Sequence, residues 1–238
     1  MTAGTTIGHA EPGTLASYSV SEAAHYLRIP QTTLRSWVLG RPYPTGEGRR
    51  FFAPPIEIAD REIRLLSFIN LVEAHVLSAI RREHEVPLQK VRRAIDFLTQ
   101  KFAAKHPLAA HRFETDGIDL FVSKVGELIN VSREGQLAMR DMLSAHLRRI
   151  EWSEKGTAVR LYPFTRKEVT DEPRAVVIDP RIAFGRPVLV GTGIPTAVVA
   201  ERYKAGESMD ELAEDYARGR SEIEEAIRCE LELRSEAA

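Results

Sequence analysis

Two helix-start signals stand close together near the front of this chain, and they constrain its fold more than any other feature. Ser19 and Glu22 have the spacing of a capping box, in which a hydroxyl and a carboxylate each satisfy one free backbone donor at a helix start. Ala23, Ala24 and Leu27 then give a short helix its apolar face. Pro30 interrupts that run; it lacks a backbone N–H and suits the first position of a new helix. Beyond it Leu34, Trp37 and Val38 recur at helical spacing, which leaves Gln31, Thr32, Arg35 and Ser36 on the outer face. Two short helices across a turn of three or four residues make a helix-turn-helix.

The stretch after it, from Gly40 to Pro54, is rich in Gly, Pro and Arg and reads as a wing, with a short extended piece after Gly48. A helical period then returns over 60–84, with Leu65, Ile69, Val72, Val76 and Ile80 on one face. Val86-Pro87 breaks it. A second helix over 87–103 turns Leu88, Val91, Ile95, Leu98 and Phe102 inward, completing a helical hairpin behind the wing. A recognition helix can present Gln, Thr and Arg to base edges in the major groove. Basic wing residues meet phosphates, which fix register without reading sequence. The candidate DNA-binding set is therefore Gln31, Thr32, Arg35, Ser36, Arg41, Arg49 and Arg50.

The formal net charge of −1 argues against a dedicated nucleic-acid binder until it is divided along the chain. Residues 1–105 carry net +4, residues 106–171 carry none, and residues 172–238 carry −5. A basic front and an acidic back point to two kinds of partner.

In the middle, Arg112 to Val122 alternates around Asp116-Gly117 and predicts a β-hairpin. Gln136 to Arg148 predicts a helix. Ile150-Glu151-Trp152 and Thr157 to Tyr162 flank Glu154-Lys155-Gly156 and predict a second hairpin. The last third begins with two short apolar strands, Ala175 to Ile178 and Val188 to Val190, separated from a helix at Pro195 by the turn Gly191-Thr192-Gly193. Ser208 with Glu211 and Ser221 with Glu224 have capping-box spacing, so helices are expected over 209–217 and 222–234. The fold class expected is mainly α with small antiparallel β elements, α+β. Its parts are a flexible tail over 1–16, a winged helix-turn-helix with helical hairpin over 17–105, a central β-hairpin and helix module over 106–171, and a helix-turn-helix-like domain over 172–238.

Hydrophobic residues make up 43% of the chain, enough for a real core, and no apolar run reaches the roughly 18 residues of a membrane span. The single cysteine, Cys229, excludes an internal disulfide framework and fits a reducing cytosol. Met1 to Ala16 lacks the basic start and apolar stretch of a signal peptide. His75 and His84, or His106 and His111, lack the i, i+4 spacing with a nearby acid that a helical zinc site uses, so no metal or other cofactor is expected. Gly191-Thr192-Gly193 is followed by no Gly-Lys-Ser/Thr, no nucleophile elbow occurs, and catalysis is not expected.

Tyr18 to Ala24, Thr33 to Trp37 and Gly48 to Phe52 resemble the MerR-type winged helix over about 80 residues, although no long C-terminal dimerisation helix follows. Asp179 to Pro195, Ala205-Gly206-Glu207-Ser208 and Glu211 to Tyr216 resemble a small bacterial domain associated with VapB-type antitoxins, over residues 172–232. Gly193 departs from it, since many members carry Arg there. The combination resembles the antitoxin of a type II toxin–antitoxin system. That resemblance implies a partner toxin with a PIN-like, metal-dependent ribonuclease fold, repression of the antitoxin's own operon at operator DNA, and a homodimer. An acidic C-terminal segment can cover a nuclease's basic groove, and an Arg can pair with its metal-binding carboxylates. The candidate toxin-binding residues are Glu224, Glu225, Arg228, Glu230 and Arg234. The alternative is a stand-alone MerR-like regulator that responds to a small ligand held in the central module.

Overall fold

The structure is a computed structural model in which residues 11–46, 48–84, 86–129, 131–166 and 173–231 are described. Its front follows from the caps. Strand β1 (Tyr18–Ser19) leads into α1 (Val20–Leu27). The Ser19 hydroxyl accepts the Glu22 N–H at 3.2 Å, and the Glu22 carboxylate accepts the Ser19 N–H at 2.9 Å. Arg28 ends α1 in the left-handed region at φ 52. Helix α2 (Gln31–Leu39) starts one residue later than expected, with Pro30 as its N-cap; the Pro30 carbonyl accepts the Thr33 and Leu34 N–H groups. Leu34, Trp37 and Val38 are buried, as the spacing requires.

Gly40 turns the chain out of α2 at φ 73, where a Cβ would lie 2.3 Å from the Phe52 carbonyl oxygen; only glycine fits. The wing is an antiparallel ribbon of β2 (Arg41–Thr45) and β3 (Gly48–Phe52), with Arg41 opposite Phe52 and Tyr43 opposite Arg50.

The helix expected from residue 60 begins later, as α3 (Phe68–His84). Leu65–Leu66 forms strand β4, pairing Tyr18 with Leu66 and Ser19 with Leu65. Left-handed Arg64, at φ 58, breaks the helical path just before it. Helix α4 (Leu88–Phe102) matches expectation and buries Val91, Ile95 and Leu98.

The hairpin expected around Asp116-Gly117 is corrected. Phe113–Gly117 is a π-turn running into α5 (Ile118–Ile129). Phe113, Ile118, Phe121, Val122 and Val125 are all buried, a helical spacing that outweighs the turn preference of Asp-Gly. Phe113 meets Phe121 edge-on at 6.0 Å between ring centroids. Helix α6 (Arg133–Leu147) and the hairpin of β5 (Ile150–Trp152) and β6 (Ala158–Leu161) form as expected.

One apolar core runs unbroken from Tyr18 through α3, α4, α5 and α6 to Leu161 and Ile178. The boundary expected near residue 105 therefore does not separate two cores; the central segment packs on the helical hairpin. Of the expected flexible tail, residues 1–10 lie outside the described residues. Pro12–Thr14 forms one helical turn, with Gly13 buried near Phe68 and Ile69.

The C-terminal domain pairs β7 (Val176–Val177) with β8 (Val188–Leu189), then adds α7 (Thr196–Lys204), α8 (Met209–Asp215) and α9 (Arg220–Glu230). Leu189, Val199, Leu212, Ile223 and Ile227 form its own small core. The Ser208–Glu211 capping box closes α8. The one expected at Ser221 and Glu224 is corrected: α9 starts two residues earlier, and the Glu222 carboxylate accepts the Gly219 N–H at 2.9 Å.

Candidate nucleic-acid interface

The buried stripe of α2 fixes what it shows to solvent. Gln31, Thr32 and Arg35 are exposed and Ser36 is half-buried, its hydroxyl donating to the Thr33 carbonyl at 2.7 Å. Gln31 and Arg35 are one turn apart, as are Thr32 and Ser36, so four groups able to hydrogen-bond base edges share one face. The wing begins directly beyond, and Arg41, Arg49 and Arg50 are exposed on it. Of the seven candidates, Thr32, Arg35, Ser36 and Arg41 line one cleft, Gln31 is exposed at the start of α2, and Arg49 and Arg50 are exposed neighbours on β3, where successive side chains alternate between the two faces of the ribbon.

Two open clefts flank α2. One, of about 550 Å³, lies between α2, the wing and the start of α4, with Thr32, Thr33, Ser36, Arg41, Tyr43 and Gln89 among its lining. The other, of about 580 Å³, is lined by Thr32, Arg35, Ser36, Arg41 and Arg64 among others. Thr33, Tyr43, Arg64 and Gln89 were not foreseen. Tyr43 lies in the wing, whose Gly, Pro and Arg content gives no signal for a lining aromatic, and Gln89 and Arg64 reach the site through the tertiary fold. Among the described residues no carboxylate pairs with Arg35, Arg41, Arg49 or Arg64.

The C-terminal domain docks on the other helix of the pair, α1. The Tyr18 hydroxyl donates to the Gly185 carbonyl at 2.9 Å, inside the fold. Arg186 pairs with Glu22 and lies 3.3 Å from the Tyr26 hydroxyl oxygen. Glu22 thereby closes the α1 cap and holds the second domain. Burial pushes its carboxyl up, but hydrogen bonds from Ser19 and Arg186 outweigh this and leave it below the usual carboxylate range. His25 meets Glu230 at 3.4 Å, and the Arg28 guanidinium donates to the Arg228 carbonyl.

Much of the expected toxin-binding set has partners within the chain. Glu225 is 1% exposed and accepts from Thr165 and Arg166, so it faces inward. Glu230 holds His25 and Thr196, and its carboxyl lies low because these partners outweigh the effect of burial. Glu224 and Arg228 pair with each other along α9. Arg234 lies outside the described residues. Among the described residues, the exposed acids of the domain stand instead on α7 and α8: Glu201, Asp210, Glu211, Glu214 and Asp215. Phe184 is 94% exposed, and both it and Ala183 hold left-handed φ values, at 54 and 46. Burial pushes the Cys229 thiol up to about 12, so it is protonated at neutral pH.

His75 and His146 are core residues, joined where a His75 ring nitrogen lies 3.1 Å from the His146 carbonyl. The His84 side chain lies outside the described ones. Among the described residues no group of three or more His, Cys, Asp and Glu could hold a metal ion, and no helix is long and apolar enough to cross a membrane.

Fold and surface define a winged helix-turn-helix DNA-binding protein. Residues 16–95 match the family described as "Putative DNA-binding HTH domain", and residues 176–228 match "Protein of unknown function (DUF433)". Over 230 residues, 88% of this chain and 92% of the relative, it is 30% identical to the protein of Mycobacterium tuberculosis (strain ATCC 25618 / H37Rv) named "Putative antitoxin VapB45". The chain belongs to the family of VapB-type antitoxins that carry a helix-turn-helix. A second relative from the same organism, "Uncharacterized protein Rv2308", is 26% identical over 219 residues, covering 88% of each chain. The crystal structure of Rv2018 from M. tuberculosis shares the fold, with a TM-score of 0.65 and 25% identity over 90% of this chain and 98% of that one.

Proposed function

We propose that this protein neutralises a PIN-like, metal-dependent ribonuclease toxin and, as a homodimer, represses its own operon by binding operator DNA. The observation that carries the DNA half is the row of exposed arginines around α2 and the wing, Arg35, Arg41 and Arg49, which no carboxylate neutralises among the described residues. Gln31, Thr32, Arg35 and Ser36 read base edges; Arg41, Arg49 and Arg50 grip phosphates. A dimer supplies two such faces for palindromic half-sites.

Family membership supports the toxin half, and the chemistry of the C-terminal domain fits it. A ribonuclease presents a basic groove to its substrate, and the acids of α7 and α8 complement such a groove. Phe184 is the apolar anchor, since an exposed aromatic on a firmly held turn loses little freedom when it inserts into a partner. The half-buried pair Glu224 and Arg228 of α9 contributes at the edge. No step of catalysis is assigned to this chain, which works in the cytoplasm.

The test is co-expression with the adjacent nuclease gene. The pair should co-purify, growth should be restored, and the complex should shift DNA from upstream of the operon. Persistent toxicity with no co-purification contradicts the toxin half, and failure to bind that DNA contradicts the other.

A further inference from the structure

The cleft of about 580 Å³ is lined by arginines from three different elements: Arg35 of α2, Arg41 of the wing, and Arg64 of the loop between the wing and α3. No carboxylate lines it, and none pairs with these three among the described residues. Like charges that share a cleft raise its free energy unless an anion enters.

The loop carrying Arg64 is rigidly built. Asp60 and Leu65 exchange two backbone hydrogen bonds, at 3.2 and 3.1 Å. The Asp60 carboxylate accepts the Glu62 and Ile63 N–H groups at 2.9 and 3.0 Å, an Asx turn that fixes the chain between them. Leu65–Leu66 then anchors the loop on β1, immediately before the α1 cap. Arg64 holds a left-handed φ of 58, a conformation that costs a residue with a Cβ free energy and that accumulates at functional positions.

We propose that the Asp60–Leu65 loop is a third DNA-contacting element beside the recognition helix and the wing, and that Arg64 closes the Arg35–Arg41 cleft on a backbone phosphate of the duplex. This rests on the DNA-binding reading above. Arg64 contributes affinity and register, while base choice stays with α2.

The experiment titrates the full chain with duplex from upstream of its own operon and with unrelated duplex of equal length, across a salt series. Wild type is compared with Arg64→Ala, Arg64→Lys and Arg35→Ala. All three substitutions keep a Cβ, and melting curves confirm folding. Arg64→Ala should weaken both duplexes by the same factor, about 5- to 20-fold, and lower the salt slope by about one. Arg64→Lys should restore the slope. Arg35→Ala should weaken the operon duplex more than the unrelated one. Unchanged affinity and slope in Arg64→Ala, with wild type binding normally, overturns this proposal alone. Selective loss on the operon duplex makes Arg64 a base reader and also overturns it. If inorganic phosphate binds wild type and not Arg64→Ala while DNA affinity is unchanged, the cleft serves a free anion and the proposal fails. Wild type that binds neither duplex overturns the DNA-binding reading together with it.

Discussion

Arg35, Arg41 and Arg49 in the winged unit lie exposed with no carboxylate partner among the described residues, whereas Arg181, Arg186, Arg202, Arg218, Arg220 and Arg228 in the C-terminal domain each close on an aspartate or glutamate. The same side chain thus serves two ends. In the front it stands exposed without a carboxylate partner among the described residues. In the back, Arg202 and Arg220 tie α7 and α9 to α8, and the others close on nearby acids or on Glu22 of α1, on a domain whose apolar core is small. Net charge alone hides this, because +4 and −5 nearly cancel. The pairing also explains why the acidic domain offers few cations to a partner: Arg228, a candidate plug for a nuclease site, is already held by Glu224.

The contrast can be broken most forcefully at the seam between the two regions. At Gly185, φ is 77 and a Cβ would stand 2.2 Å from the Tyr18 hydroxyl oxygen. Gly185→Ala should cost at least about 3 kcal/mol of stability, read as a fall in the denaturation midpoint, because strain and steric overlap act together. Adding Tyr18→Phe should recover part of the loss by removing the oxygen that the Cβ meets. A smaller effect is expected at the recognition helix. Arg35→Ala should cost about 1–3 kcal/mol of operator affinity and relax sequence preference, measured by titration against operator variants. On the wing, Arg49→Ala should weaken all duplexes evenly and lower the salt slope by about one.

The smallest effect is a pH dependence of the seam. The Glu22 and Glu230 carboxyls lie below their ordinary 4.5 in the folded protein, since their hydrogen-bond and charge partners outweigh burial. Groups so depressed contribute stability above the ordinary value and lose it as pH falls through the folded one. Thermal midpoints should therefore be flat near neutrality and decline below about pH 4.5. Glu230→Gln should make that decline shallower.

Much of the winged unit was legible in the sequence because its signals are local. Ser19, Glu22, Pro30 and the Leu34–Trp37–Val38 stripe act within one or two turns, and α1, α2 and the wing formed accordingly. The hairpin expected at Asp116-Gly117 failed because burial of Phe113, Ile118 and Phe121 against distant helices overrode a two-residue turn preference. The intrachain partners of the expected toxin-binding set on α9 were hidden for a related reason. Glu225 and Glu230 read as solvated charges until residues some 60 and 205 positions away, Thr165 and His25, are brought against them. Arg64 carries no periodic signal; only the fold brings it to Arg35 and Arg41.

The central claim is a division of labour between unpaired front arginines and paired rear ones, and one titration tests it most directly. Full-length protein is titrated with its operon-upstream duplex, comparing Arg35→Ala and Arg49→Ala with Arg181→Ala and Arg202→Ala. The account predicts at least a tenfold loss of affinity for the front pair together and none for the rear pair. Equal losses from both ends, or a loss confined to the rear, would contradict it.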